Sequence, residues 1–565
     1  MRESIYMNDQ LAILNFSASY VRTQSELLNC SEFRNFVEIF IESLKKNKRD
    51  LYNWVTNGRT VREAKVEIIK CFRMMSVFGC EEIDNYYLND KASLLEFIEE
   101  IYNYWKKLQR FSVTYIGHGQ SNGAVNFINN DEAFNRLVRE TYRNLEEKVQ
   151  GRKNKIYRQL QSGSNAAAAL RFDNFVLPNG YERLRNIPMI DSIMLRTPLM
   201  LNTRSNKRTG MFEEREDNPV KTFNGNANDW FCMPIKIGRL LCFVYFHRDF
   251  MCSGVSLANL FEIATQDECQ NKPDCIVLFG NQDNLDQTTF HHDKENNIWI
   301  GSVSYSQKIE YFGYIKKMSL TLHNLAMMQK GWLPIHGAFI NVTLHDGKKK
   351  GIMLMGDSGA GKSESIEALR SLGDDIISNI EVVFDDMGSI HIEDGIPYGQ
   401  GTEIGAFIRL DDLDKGTPYR DMDRSVFLNP DSSNARVITP AASYDVISHN
   451  HKIDLFAYAN NYDNMLGLRR IEDVEESKNI CIQGQRMALG TTQEVGLSQT
   501  YFANPFGPMQ QQEVCKPLID QVFASLYRNG VFVGEIFTHL GFANSEDKSG
   551  IVEGAKQLLE FIQKS

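Results

Sequence analysis

The run Gly356-Asp357-Ser358-Gly359-Ala360-Gly361-Lys362-Ser363 satisfies GxxxxGK[ST] at each fixed position. The apolar run Gly351-Ile352-Met353-Leu354-Met355 precedes it, and Ser363 to Leu372 follows with helical spacing. A strand, a glycine loop and a helix are the only local order in which this wording works, so the C-terminal part of the chain is expected to be α/β. The glycines admit backbone angles that turn successive N–H groups inward as an anion nest, and the following helix N-terminus adds its partial positive charge. Gly356, Asp357, Ser358, Gly359, Ala360 and Gly361 would then cradle the phosphates of ATP. Lys362 would reach the β- and γ-phosphates, and the Ser363 hydroxyl would ligate Mg²⁺. Lys548 joins the nucleotide-binding candidates. A metal-holding carboxylate belongs at the end of the next apolar strand, Glu381-Val382-Val383-Phe384, which runs into Asp385-Asp386. A rival pair, Asp374-Asp375, follows Gly373 and reads as turn chemistry at a helix end; Asp385/Asp386 is favoured, with the choice left open.

The rest of the composition narrows the class. In 565 residues, Lys+Arg 62 against Asp+Glu 72 gives a formal net charge of -10, which argues against a chain devoted to coating nucleic acid. No run approaches the roughly 18 apolar residues of a membrane span, and the first residues carry an early acid and no apolar signal segment. Ten scattered cysteines without a CxxC pair read as reduced thiols, so a cytoplasmic location is expected, with neither membrane nor nucleic acid as partner.

Three regions are expected. Residues 1–165 carry apolar side chains at three- and four-residue spacing, as in 33–44 and 92–102, and read as a mostly helical domain that is structural or partner-binding. Gln161-Ser162-Gly163-Ser164-Asn165 followed by four alanines reads as a linker. Residues 166–330, with short β-rich runs at 240–246 and 275–279, read as an α/β substrate domain, and 331–565 as the phosphate-loop domain with a lid near 490–507.

Further landmarks extend the pattern beyond the loop. Lys272-Pro273-Asp274-Cys275-Ile276-Val277-Leu278-Phe279-Gly280 is similar to the KPDFIVxxG strand of ATP-dependent phosphoenolpyruvate carboxykinases. Tyr311-Phe312-Gly313-Tyr314-Ile315-Lys316-Lys317 resembles their YGGEMKK segment, and His336 falls at the histidine of MHCSANV. Asn434-Ala435-Arg436-Val437 resembles the segment bearing a substrate arginine, while Gly490-Thr491-Thr492 and Phe506-Gly507 fall where the lid starts and ends. From about residue 200 onward the chain thus resembles a divergent carboxykinase. The loop's wording is nearer to HPr kinase/phosphorylase, which shares that nucleotide-binding domain.

The resemblance implies a two-domain carboxykinase-like core and a Mn²⁺ site made by Lys317, His336 and Asp386, with Lys317 neutral because burial and the adjacent Lys316 depress its pKa. It implies that Lys316 stays charged toward the transferred phosphoryl group, that Arg436 and Lys362 offset charge on the phosphoryl oxygens, and that Tyr311 orients the substrate. Taken singly, a Lys-Lys pair is an ordinary solvated helix end and a lone His an ordinary core residue; joint spacing with the loop singles them out. The TGRSPKDK signature is degraded to Thr203-Arg204-Ser205-Asn206-Lys207-Arg208, which leaves Arg204, or alternatively Arg208, as the clamp for an acceptor carboxylate. The leading expectation is conversion of oxaloacetate and ATP to phosphoenolpyruvate, ADP and CO₂. The alternatives are a kinase acting on a hydroxyl of a small molecule or protein, and a nucleotide-sensing scaffold. The expected partner is a small carboxylic acid, with a protein partner possible through the helical region.

Overall fold

The computed structural model describes residues 3–117, 123–172, 176–410, 421–489, 495–542 and 549–564. The chain is mixed α/β and divides into two compact units, Met1–Asp173 with Asn186–Leu201 and Asn226–Phe231, and Asn174–Arg185 with Asn202–Gly225 and Cys232–Ser565. No helix among the described residues is long and apolar enough to cross a membrane.

In the first unit the helices follow from amphipathic spacing and explicit start signals. Thr23 with Glu26 and Thr60 with Glu63 form reciprocal capping boxes at the starts of Gln24–Asn29 and Val61–Val77. The helices Ser31–Asn47, Val61–Val77 and Lys91–Lys107 bury Phe40, Phe72 and Phe97 in a common core. The unit also carries strands, in the order Ile5–Met7, Leu11–Asn15, Gln109–Tyr115, Ala166–Arg171, Met189–Leu195. The alanine run read as a linker is therefore a buried strand, a correction with a packing cause. Ala167 and Ala169 lie against Phe127 of the helix Gly123–Gln150, and side chains without γ-carbons let helix and sheet approach closely.

The preceding stretch is fixed by Arg110, which is 2% exposed. Its guanidinium donates to the carbonyls of Trp105, Lys106, Leu108, Gln161 and Gly163 at 2.6–3.0 Å.

The second unit has two larger sheets. One runs Trp230–Ile237 (residues 232 onward lie in this unit), Leu240–His247, Cys275–Asn281, Ile298–Ser304, Thr288–Asp293, Glu213–Glu214. The other is eight-stranded: His451–Lys452, Ile396–Gly401, Ile377–Glu393, Leu333–Leu344, Lys349–Met355, Leu455–Asn460, Phe532–Phe537, Gly467–Arg470. The helix Gly313–Gln329, buried along nearly its whole length, packs on strands of both sheets. Its polar side chains Lys316, Ser319, Thr321, His323 and Asn324 are buried along with the apolar ones, because two layers enclose the helix.

Candidate active site

The phosphate loop joins the strand Lys349–Met355 to the helix Lys362–Leu372. The strand lies antiparallel to Leu333–Leu344 and parallel to Leu455–Asn460, and the Gly356 amide continues the ladder by donating to the His336 carbonyl at 3.0 Å. The loop's carbonyls are held from outside. Lys362 Nζ donates to those of Gly356 and Asp357 at 2.8 and 3.0 Å, Asn461 Nδ2 to Gly359 at 3.1 Å, Thr538 Oγ1 to Ala360 at 2.8 Å and Ser365 Oγ to Gly361 at 2.6 Å; Arg486 Nη1 takes Ser358. These bonds fix the loop's backbone, and the Ser358 and Ala360 amides are held in turn by Asp357 Oδ1 and the Asp357 carbonyl at 2.7 and 3.2 Å. Gly361 has φ +98°, and a Cβ there would lie 2.7 Å from Thr538. Only glycine satisfies both conditions.

Asp385 and Asp386 sit within the long strand Ile377–Glu393, not at its end, opposite Ala338 and Gly337. Asp385 accepts from Ser363 Oγ through both oxygens at 3.1 Å. Burial raises its pKa against the pull of Lys362 and Ser363. Asp386 receives three donors: Lys316 Nζ at 2.6 Å, Lys317 Nζ at 2.7 Å and His336 Nε2 at 3.1 Å. Its backbone has φ +150°, a region costly for any side-chain-bearing residue, at about 1–3 kcal/mol. Such outliers persist where surrounding contacts over-determine them, and here three donors do so.

The rival pair, Asp374 and Asp375, lies in an exposed turn after the loop helix, so Asp385/Asp386 is the pair at the loop.

The electrostatics separate the two lysines. Burial works to lower Lys316, but Asp386 and Glu403, the latter at 2.9 Å, outweigh it and hold the ammonium firmly charged. Lys317 is pulled down by burial, and its attraction to Asp386 does not outweigh that and the neighbouring Lys316 charge. Burial also works to raise Asp386, and Lys316, Lys317 and His336 reverse it, keeping the carboxyl well below the usual range. Glu403 is pushed up by burial to about 7. On the far side, His336 Nδ1 lies 2.9 Å from the Ala503 carbonyl oxygen, so one ring nitrogen faces that carbonyl and the other the Asp386 carboxylate. Phe502 and Ala503, with φ +53° and +45°, are two consecutive left-handed residues at that contact.

Two aromatic rings gather the remaining cations. Lys316 Nζ and the Arg436 guanidinium stand 5.2 and 5.4 Å from the Phe407 centroid, and Lys317 Nζ and the Arg208 guanidinium 4.7 and 5.4 Å from that of Phe506. Tyr311 packs on Phe407 at 6.2 Å. Arg436 donates to Asn434, while its Nε is buried without a hydrogen-bond partner. The structure thus brings together Tyr311, Lys316, Lys317, His336, Lys362, Ser363, Asp385, Asp386 and Arg436. Arg204 is engaged elsewhere: its backbone amide and its guanidinium both bind Glu310, which is 5% exposed. That pairing sets the Arg204 guanidinium against a buried glutamate, while the Arg208 guanidinium stands over the Phe506 ring that also carries Lys317.

Lys548, Gly490, Thr491 and Thr492 lie outside the described residues. Glu403 and Arg486, which ties Asp357 at 3.2 Å, were not singled out by the sequence, and neither sits in a motif.

No protein-family model and no curated protein matches the chain. Among solved structures it is similar to the Hpr(Ser) kinase/phosphatase from Coxiella burnetii, at 14% identity and a TM-score of 0.15, over 35% of this chain and 97% of that one. A likeness that slight fixes neither fold nor activity.

Proposed function

We propose that this protein transfers the γ-phosphoryl group of ATP to a small anionic acceptor bound against the Lys316–Asp386–His336 cluster. The observation that carries the reading is the convergence of that cluster on a strand whose neighbouring residue, Asp385, bonds the phosphate-loop serine. Lys362 would leave the loop carbonyls for the phosphates, and Lys316 and Arg436 would offset charge on the phosphoryl oxygens as it builds. Divalent ions fit the donor chemistry. Ser363 and Asp385 suit Mg²⁺, and Lys317, His336 and Asp386 suit Mn²⁺ once the two nitrogen donors have lost their protons. Among the described residues no group of three or more His, Cys, Asp and Glu side chains forms such a set, so the site depends on the lysine. Bound there, the ions would supply positive charge against the phosphates and the acceptor oxygen.

The carboxykinase form of this chemistry is our first reading. Oxaloacetate loses CO₂, the electron pair passes to the enolate oxygen, that oxygen bonds the γ-phosphorus, and the bond to the ADP oxygen breaks. Loss of CO₂ makes the nucleophile, so no general base is needed. The Arg204–Glu310 pair favours a second reading, a kinase acting on a hydroxyl, with Asp385 or His336 recruited as base. Phosphorus-31 NMR of the protein with ATP and Mn²⁺ or Mg²⁺, with and without oxaloacetate, separates them. Phosphoenolpyruvate is expected only with oxaloacetate; no turnover with oxaloacetate but phosphoester formation on an added alcohol acceptor selects the hydroxyl kinase, and failure to bind ATP at all sinks both.

A further inference from the structure

We propose that the surface strap 152–160 of the first unit is a docking site for a lipid bilayer with anionic headgroups. The whole chain carries a formal net charge of -10, yet no Asp or Glu lies between Glu147 and Asp173, and Arg152, Lys153, Lys155 and Arg158 fall within seven residues of one another. The average hides a local reversal of sign, and the local field is what an approaching anion meets.

The strap forms neither helix nor strand and is held against the helix Gly123–Gln150 by its backbone and by neutral side chains. Arg143 Nη2 donates to the Arg158 carbonyl at 2.6 Å and Arg139 Nη1 to the Leu160 carbonyl at 3.1 Å. Glu147 accepts from the Tyr157 hydroxyl at 2.5 Å and the Asn154 amide at 3.1 Å, and Glu146 accepts from Asn154 Nδ2 at 3.0 Å. The carboxylates nearest in the chain are therefore engaged by uncharged donors. Arg152, Lys153, Lys155 and Arg158 are all exposed, and among the described residues none of the four is in salt-bridge contact with a carboxylate.

The apolar side chains narrow the partner. Ile156 is 74% exposed, Tyr157 50% and Leu160 38%. One exposed apolar side chain is ordinary, but three within five residues, interleaved with cations, suit a bilayer interface. Such an interface draws cations to its headgroups and takes apolar groups below them. A single-stranded nucleic acid would use the cations but gains little from an isoleucine, and the ring that could stack on a base, Tyr157, already carries the Arg143 guanidinium 5.1 Å from its centroid.

Sedimentation of the full-length protein with vesicles tests the assignment. Vesicles of phosphatidylcholine and phosphatidylglycerol in equal parts are expected to bind the protein at least about tenfold more tightly than phosphatidylcholine alone, and the difference should shrink in high salt. Lys153→Gln combined with Lys155→Gln should weaken binding to the mixed vesicles by about tenfold or more, since each cation near such a surface is worth roughly fivefold. Ile156→Ser should weaken it by about threefold or more and leave the salt dependence as it was. All three substituted side chains are exposed, and a wild-type melting temperature reports that each variant is folded. Equal binding to the two lipid compositions, or wild-type binding by the double lysine variant, would overturn the proposal. Wild-type binding by Ile156→Ser would overturn it as well, because cations alone do not distinguish a bilayer from any other polyanion. An oligothymidylate or a polyglutamate peptide that binds where the mixed vesicles do not would assign the strap to a different partner and likewise sink the bilayer.

Discussion

His336 and Lys362 lie close to one another, yet their roles under the proposed chemistry differ in kind. Lys362 would touch phosphate in both ground and transition states, so Lys362→Ala should weaken ATP affinity and turnover together. His336 bonds Asp386, not the loop's phosphate face, so His336→Ala should leave ATP affinity near the wild-type value while lowering kcat by about 10²-fold or more. Calorimetry with ATP alongside steady-state kinetics checks the split, and an equal loss of affinity in both variants would remove the distinction. These two residues and the lysine pair were legible in the sequence because they fall on spaced landmarks. Glu310 and Glu403 were not, since a carboxylate that answers an arginine 106 residues away leaves no mark in the local pattern. Arg204 shows the consequence: its wording looked like a substrate clamp, and only the fold reveals the glutamate that occupies it.

Among the elements, the strand–loop–helix around Lys362 was legible because three local signals agree: apolar run, glycine spacing, and helical periodicity. Gly361→Ala tests its most constrained point. A Cβ at φ +98° and 2.7 Å from Thr538 must displace the loop, and ATP affinity is expected to fall by at least about tenfold on the scale of one strained residue. Near-native affinity in that variant would show that the loop relaxes freely. The first unit was less legible. Its strand Leu11–Asn15 is a short, mostly apolar run that periodicity cannot tell from helix, and the alanine strand was masked by alanine's weak strand preference. What orders that stretch is Arg110, whose five carbonyl contacts come from two separate segments. Arg110→Met keeps the apolar stem but leaves those carbonyls without their donor. A loss of about 3 kcal/mol or more is expected, read by denaturant unfolding monitored at Trp105; a loss under about 1 kcal/mol would mean that water replaces the guanidinium.

At the scale of the whole molecule, stability against pH is set by buried groups that titrate in opposite senses within the second unit. Glu403 is raised to about 7, so the native chain holds its proton more tightly than the unfolded chain does, and its contribution falls as pH rises from about 4.5 to 7. His323, enclosed in the helix Gly313–Gln329, is lowered by burial to about 4, so the unfolded chain binds that proton more tightly and its contribution rises with pH up to about 6.5. His391 and His292, also lowered by burial, add to the second trend. The two senses oppose one another in the wild type. Asp386, held far below its usual value, supports the fold at neutral pH and withdraws that support as pH drops below about 4. Single substitutions should uncover the hidden slopes. The melting temperature of Glu403→Gln, taken relative to wild type, is expected to rise between pH 5 and 7, because the group that lost stability on ionising has gone. That of His323→Gln, relative to wild type, should fall over the same interval, because the group that lost stability on protonation has gone. Differential scanning calorimetry of the three proteins at half-unit pH steps measures both. Parallel profiles for all three would mean that neither group titrates differently in the folded and unfolded chain, and the charge balance described around Lys316 would then have to be redrawn with Glu403 ionised throughout.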